Sequence, residues 1–483
     1  MNHTPFRLHV LALAALAALA SGCAVGPAYQ RPTTPEPLAY KEAAAVQGWL
    51  PAAPADTLAR GPWWTLFGDP LLNQLAAGID VSNQNVAAAA ASYERARALV
   101  REQRAGLFPS IDLSGSAVRS GSGAGNANSG TASGNVSSGQ QYRTSIGASW
   151  EPDIWGRLRA GVSGANASAE ASAADLAAAR LSAQGELAIN YFSLRQSDAQ
   201  KALLDSTIAG YQRVFQITQN RFNAGIVAKS DVLQAQTQLA NAQSDALTLL
   251  RQRAQLEHAI AVLLGKAPAE FTLEAMPWVV QAPQIPLGLP SSLLQRRPDI
   301  AAAERRVAAA NQQIGIARAA YFPSLNLTGS VGFGASAVSD LFNASNSLWS
   351  FGLSAAQSLF NAGATSARVE GAKAGHQVAV AQYRQTVLTA FAAVEDQLSA
   401  THALILQQDF VKLASQAADQ VETQMLNRYR AGQVGYTDVV TAQATALSAR
   451  RALVQLQADR QTTAVALIQA LGGGWSVEAG VTP

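Results

Sequence analysis

The chain has 483 residues, of which 48% are hydrophobic and 14% charged; its 35 Lys and Arg stand against 32 Asp and Glu, for a formal net charge of +3. The basic residues are scattered rather than gathered into a patch, which removes the electrostatic footprint of a nucleic-acid binder, so no nucleic-acid partner is expected. The histidines His258, His376 and His402 stand singly in helical stretches, at no spacing that suits a metal site or a base–nucleophile pair, and His3 and His9 lie in the first residues. No glycine-rich phosphate loop follows a strand. Catalytic residues, metal ligands and cofactors are therefore all read as none, and the chain as no enzyme.

Residues 1–22, MNHTPFRLHVLALAALAALASG, have a lightly basic start and an apolar run from Val10 to Ala20 that is too short to span a bilayer, the pattern of a secretory signal. Cys23, the single cysteine of the chain, follows Ala20-Ser21-Gly22, which resembles the lipobox of bacterial lipoproteins and marks Cys23 for lipidation. Two acyl chains would hold it firmly to outer-membrane lipid. Ala24 stands where an Asp would suggest retention in the inner membrane.

Proline then divides the chain, because it breaks helix interiors and central strands. Eight of the 19 prolines fall between Pro27 and Pro70 and six between Pro268 and Pro298, whereas residues 153–267 and 324–482 have none. These long proline-free runs are rich in Ala, Gln, Leu and Arg, the composition of uninterrupted helices. Leu204, Ile208, Tyr211, Phe215, Thr218 and Phe222 recur at three-four spacing, and Val380, Val387 and Val394 recur every seven residues, interleaved with Phe391, Leu398 and Ile405. Both read as coiled-coil seams. A run of about 65 residues from near Arg159 to Phe222 would be roughly 100 Å long.

Elsewhere the period is two. Tyr142 to Trp150 and Leu325 to Phe333 alternate apolar with polar residues, and Ile111–Val118 and Trp349–Ala355 complete two hairpins, the first joined through Ser120–Gly139. Each strand has about the length that crosses a membrane at a tilt. Four strands do not close and an open edge is not tolerated in lipid, so chains must combine. Two chains would give eight strands and a filled interior, three would give twelve and a water-filled bore.

The chain also repeats. NRFNAGIVAKSDVLQAQ at Asn220 returns as NRYRAGQVGYTDVVTAQ at Asn427, and LFPSIDLSGS at Leu107 as YFPSLNLTGS at Tyr321. Gly225 and Gly432 read as helix-closing glycines, each followed by a return helix of about 35 residues. Arg221/Arg428 and Asp231/Asp438 recur beside them, which a bare hairpin does not need. The aspartates also suit a helix N-terminus, and a cap and a functional role are compatible.

Together with VGPAYQRP at Val25, WWTLFGDPLLNQL at Trp63 and LLQRRPDIAAAERRVAAANQQIGIARAAYFPSLNLTGS at Leu293, these stretches resemble the outer-membrane efflux proteins of the TolC type, and more narrowly the lipoprotein branch serving resistance-nodulation-division pumps. The resemblance implies a mainly α protein with membrane β: a long coiled-coil α-helical barrel plus four transmembrane β-strands per chain, completing a twelve-stranded barrel as a homotrimer. On this reading residues 1–22 are the signal peptide and 23–80 a lipidated extended segment and equatorial region. Residues 81–267 are the first repeat, with a β-hairpin at 108–152 and a tip near 220–231. A Pro-rich linker follows at 268–297, then the second repeat at 298–472, with a hairpin at 322–358 and a tip near 427–438, and a tail at 473–483. The implied function is the outer-membrane channel of a tripartite pump, passively conducting small molecules handed on by a periplasmic adaptor and the inner-membrane pump. The alternatives are a protein-secretion channel and a lipid-anchored periplasmic scaffold. The resemblance further implies a periplasmic gate of Asp231, Asp438 and Arg428, with Gln234 and Thr441 where some members carry a second acid. It implies an adaptor-docking tip of Asn220, Arg221, Gly225, Val227, Asn427, Gly432 and Val434.

Overall fold

The computed structural model describes residues 25–34, 37, 39–42, 62–121, 138–276, 278, 282–283 and 297–473. The signal, Cys23, most of the loop between the first two strands, much of the Pro-rich linker and the tail beyond Gly473 lie outside the described residues. In chain order the elements are α1 (Pro70–Ser82), α2 (Gln84–Ala105), β1 (Ser110–Gly121), β2 (Ser138–Trp150), α3 (Arg157–Asn223), α4 (Lys229–Leu263), α5 (Pro298–Ala319), β3 (Ser324–Ala335), β4 (Ser347–Ala356), α6 (Ala364–Arg430) and α7 (Tyr436–Ala470), with a short 3-10 turn at Trp63–Phe67 ahead of α1. Both long helices have 67 residues and both return helices 35, so the repeat read in the sequence holds element by element.

The residues divide into two units. The first comprises Met1–Pro32, Tyr93–Ala171 and Ala303–Tyr383, and it holds the strands. They form one antiparallel sheet in the order β1-β2-β3-β4: the expected hairpins are present, and β2 also pairs with β3, Ile146 lying opposite Val331. Register and parity put Leu113, Ile146, Val331, Trp349, Phe351 and Leu353 on one face. All six are exposed, Trp349 at 81% and Leu113 at 78%. The other face is small and polar, with hydroxyl pairs across the strands at Ser114–Ser145 and Ser330–Ser350, both 2.9 Å apart. A sheet with large apolar side chains outward and serines inward matches a lipid-facing and a lumen-facing side.

The proline-rich start of the chain packs on the same unit. Gly26 meets Gly315 of α5 so closely that a Cβ on Gly26 would lie 3.0 Å from the Gly315 Cα. Asn311 donates to the Pro27 carbonyl at 2.9 Å, the Tyr29 hydroxyl donates to Glu304, and Arg31 Nε donates to the buried Tyr383 hydroxyl at 3.3 Å. The stretch VGPAYQRP is thus a strap, with Gly26, Pro27, Tyr29 and Arg31 each holding one contact. Burial, and then the bond to Glu304, raise the Tyr29 phenol well above its ordinary value.

The second unit comprises Thr33–Ser92, Ser172–Ala302 and Arg384–Pro483. Its largest core gathers Trp63, Phe67, Leu72, Ile79, Leu187, Phe192, Ile260, Val465 and Ile468. The stretch WWTLFGDPLL builds this core locally. Gly68 turns the chain at φ 64°, and Asp69 caps α1 by accepting from the Leu71 and Leu72 amides at 2.9 and 3.1 Å. Its second oxygen accepts from the Tyr191 hydroxyl at 2.6 Å. Beside this core, Arg195 is 1% exposed and donates to Asp198 at 3.1 Å and to the Glu274 carbonyl at 2.8 Å, with its guanidinium 5.0 Å over the Tyr191 ring. Arg253 binds Asp198 from the other side at 2.6 Å. Two arginines sharing one carboxylate partly compensate charges that burial would otherwise make costly, although Arg195 Nη2 has no hydrogen-bond partner among the described residues, and they fix the start of the Pro-rich linker to the helices.

The seams hold with one correction. Val387, Phe391, Val394 and Leu398 are buried, but Ile405 is 51% exposed, and Leu406, Phe410 and Leu413 beyond it are more exposed still. Ile405 is one heptad beyond Leu398, a drift of only about 20°, so it stays on nearly the same stripe and is exposed because no other part of the described chain covers it there.

Candidate gate at the helical tips

Both tips lie in the second unit, and both end the long helix in the same way. The Ile226 amide donates to the Arg221 carbonyl and Gly225 to Phe222; the Gln433 amide donates to Arg428 and Gly432 to Tyr429. This is the two-bond Schellman closure, and it needs the left-handed backbone that Gly225 (φ 71°) and Gly432 (φ 74°) adopt. Alanine at either place would lose that freedom.

The repeated arginines then part ways. Arg221 is half-buried: its Nη1 donates to the Tyr429 carbonyl at 3.1 Å and its guanidinium lies 4.9 Å over the Tyr429 ring. Tyr429 packs 5.5 Å from Tyr436 in a small core with Val214, Ala235 and Val439. Because the Thr218 hydroxyl already donates to Val214, the Tyr429 hydroxyl, 3.4 Å away, is the donor between them. Burial chiefly raises the Tyr436 phenol, with Tyr429 adding to the shift. Arg221 therefore joins one hairpin to the other, whereas Arg428 is exposed and makes no ion pair among the described residues.

Asp231 and Asp438 occupy the third position of the return helices, whose capping residues are Ala228 and Gly435 with no side-chain cap. Their charge suits the helix dipole, worth about 0.3–1 kcal/mol each. Asp438 is exposed, beside a groove of about 530 Å³ walled by Ala417, Val421 and Met425 of α6 and Thr441 of α7. Gln234 accepts from the Thr437 hydroxyl at 3.4 Å, joining the second turn of α4 to the first turn of α7. Of the expected docking residues, Asn220, Gly225, Asn427 and Gly432 are exposed, Val227 is half-buried, and Val434 packs partly against the Tyr429–Tyr436 core. The sequence reading missed Tyr429 and Tyr436, and took Thr218 only as a seam position. The signal of the two tyrosines was the places where the repeats differ, Phe222 against Tyr429 and Lys229 against Tyr436.

A four-stranded sheet with an apolar outer face, carried by a chain of paired 67- and 35-residue helices, defines a membrane-channel subunit whose helices far exceed what a globular core requires. The model of the outer membrane efflux protein family matches residues 79–266 and 289–473, and the chain belongs to that family. It is 32% identical over 474 residues to the probable efflux pump outer membrane protein TtgC of Pseudomonas putida, covering 98% of this chain and 96% of that protein. It is 30% identical over 462 residues to the cation efflux system protein CusC of Escherichia coli, covering 94% and 97%. Among solved structures, the outer-membrane channel OprN superposes with a TM-score of 0.83 at 31% identity over 94% of this chain and 100% of that one. The open state of the Neisseria gonorrhoeae MtrE outer-membrane channel superposes at 0.80 and 27% identity over 94% and 98%. The chain is an outer-membrane efflux protein.

Proposed function

We propose that three copies of this chain form one passive conduit, closed at the helical tips, that carries small molecules across the outer membrane for a periplasmic adaptor and an inner-membrane resistance-nodulation-division pump. The observation that carries the reading is the open sheet. β1 and β4 are edge strands of 12 and 10 residues with an apolar outer face, and in lipid their free backbone groups must be paired by further copies. Three copies give twelve strands and a bore wide enough for water and solutes. The gate is the ring of Asp438 carboxylates, with Asp231 behind it and the exposed Arg428 as the available counter-charge. The exposed tip residues Asn220, Gly225, Asn427 and Gly432 with Val227 are the adaptor's landing surface, and Arg221 and Val434 hold that surface in shape.

Like charges brought together on a narrow axis repel unless cations or a base compensate them. In planar bilayers the Asp231→Ala/Asp438→Ala protein is expected to show higher single-channel conductance and to lose block by divalent cations added on the periplasmic side. If it conducts and is blocked like the parent, with only its melting temperature lowered, the aspartates are helix-terminus charges and the gate reading fails.

A further inference from the structure

The four strands carry three charged side chains among their described residues, Asp112, Arg119 and Arg143. Arg119 shares its parity with Ile111 and Leu113 and sits near the end of β1, on the apolar face. Asp112 and Arg143 fall on the other face. Asp112 alternates with Ser110 and Ser114, and Ser114 is bonded across to Ser145, two residues from Arg143. Arg143 lies opposite Gly334, and its Nε would be 3.9 Å from a Cβ placed there, so the guanidinium stem runs over the polar face. That face is otherwise built of Ser, Thr, Gly, Asn326 and Gln141 with Val118, Leu348 and Ala356. No hydrogen bond or ion pair engages the Asp112 or Arg143 side chain among the described residues.

The two charges stand at different depths. Arg143 is level with Ser116, four residues along β1 from Asp112, which is about 13 Å at the rise of an antiparallel strand. The screening length is about 10 Å at 0.1 M salt and about 3 Å at 1 M, so at moderate ionic strength each charge acts on passing ions largely by itself. Threefold assembly turns each into a ring.

We propose that Asp112 and Arg143 form two oppositely charged rings in the barrel lumen, and that these rings set the charge selectivity of the open channel at low ionic strength. The proposal rests on the assembled barrel of the preceding section. An ion on its way out passes both rings in series, an acidic one nearer the strand ends that join α2 and α3 and a basic one nearer the opposite ends, in a wall that otherwise offers mostly hydroxyls and backbone. Each ring offsets the other, and removing either one exposes the preference of the one that remains.

The test is the reversal potential in planar bilayers under a KCl gradient of about 0.1 M to 0.01 M, where the rings are poorly screened. Relative to the parent, Asp112→Asn is expected to lower the potassium-to-chloride permeability ratio and Arg143→Gln to raise it, each by about twofold. The double variant should return to the parent's ratio, and all shifts should vanish near 1 M salt. Asp112→Ser and Arg143→Ser, which substitute the residue that dominates this face, should repeat the two signs. Single variants that conduct as well as the parent with an unchanged ratio, or that shift it in the same direction, overturn the proposal. A parent protein that forms no channel overturns the barrel reading instead.

Discussion

Tyr191 shows how one side chain serves two ends. Its ring is part of the buried core and its hydroxyl donates to Asp69, the cap of α1, while Arg195 lies over its face. Burial, and then the bond to Asp69, push its phenol up to about 12, with Arg195 opposing. The folded protein therefore keeps this proton to higher pH than the unfolded chain, whose phenol titrates near 10. The stabilisation is complete below pH 10 and is lost as pH rises from 10 to about 12. Tyr191→Phe is expected to cost about 2 kcal/mol at neutral pH, as for a hydrogen bond to a charged acceptor. In thermal melts followed by circular dichroism, the gap between parent and variant should narrow above pH 10. A constant gap up to pH 12 would show that the hydroxyl's proton is not what matters. At this scale the sequence was only partly legible. Arg221 and Arg428 occupy the same place in the repeat, yet one is latched to Tyr429 and the other is exposed. The two arginines have the same immediate place and spacing, and the difference between them comes from the aromatic residue that the opposite hairpin presents, Tyr429 against Phe222.

Elements were the most legible scale. A helix that runs 67 residues without proline and a strand that alternates over ten residues each write their period into the chain, and the glycine at each tip writes its backbone angle. The repeat also fixes something about elements the chain cannot pair by itself. Leu113 and Leu327 hold the same place in the two F-P-S motifs, so their partners Ile146 and Leu353 correspond, and Val331 corresponds to Ala117. The Ile146–Val331 pairing within the chain thus has a counterpart at the free edges, Leu353 opposite the partner subunit's Ala117. In a Cys23→Ser background, Ala117→Cys combined with Leu353→Cys is expected to give disulfide-linked multimers in membranes under mild oxidation, since directly opposed strand residues lie within disulfide reach. Val118→Cys combined with Leu353→Cys should not, because a shift of one residue turns the thiol to the other face. Equal cross-linking by both pairs would refute the register. In the second seam Ile405 kept the heptad place one repeat beyond buried Leu398 yet is half exposed, because the period sets which face a residue takes and not whether the chain supplies a neighbour for that face.

For the whole molecule, the expectation is of a lipid-anchored trimer. Labelled palmitate should enter the protein through Cys23, and Cys23→Ser should abolish the label while the barrel still inserts. Mass measurement in mild detergent should give three chains before and after that change. A mature chain starting at Ser21, or a stable monomer, would rule out the anchor or the assembly respectively. The strap that begins at Val25 is held to the first unit through Tyr29, Arg31 and the Gly26–Gly315 contact. The sequence by itself determined the elements, their lengths, the duplication and the family, because these follow from periodicity, proline placement and motif residues that lie near each other in the chain. The tertiary structure alone decided how β2 meets β3, where Arg195 and Arg253 find their shared carboxylate, and which tip arginine is bound. Arg253 lies 55 residues from Asp198 and Arg221 lies 208 from Tyr429, and local propensity carries no information over such separations. Only the packed chain brings the residues within hydrogen-bonding range.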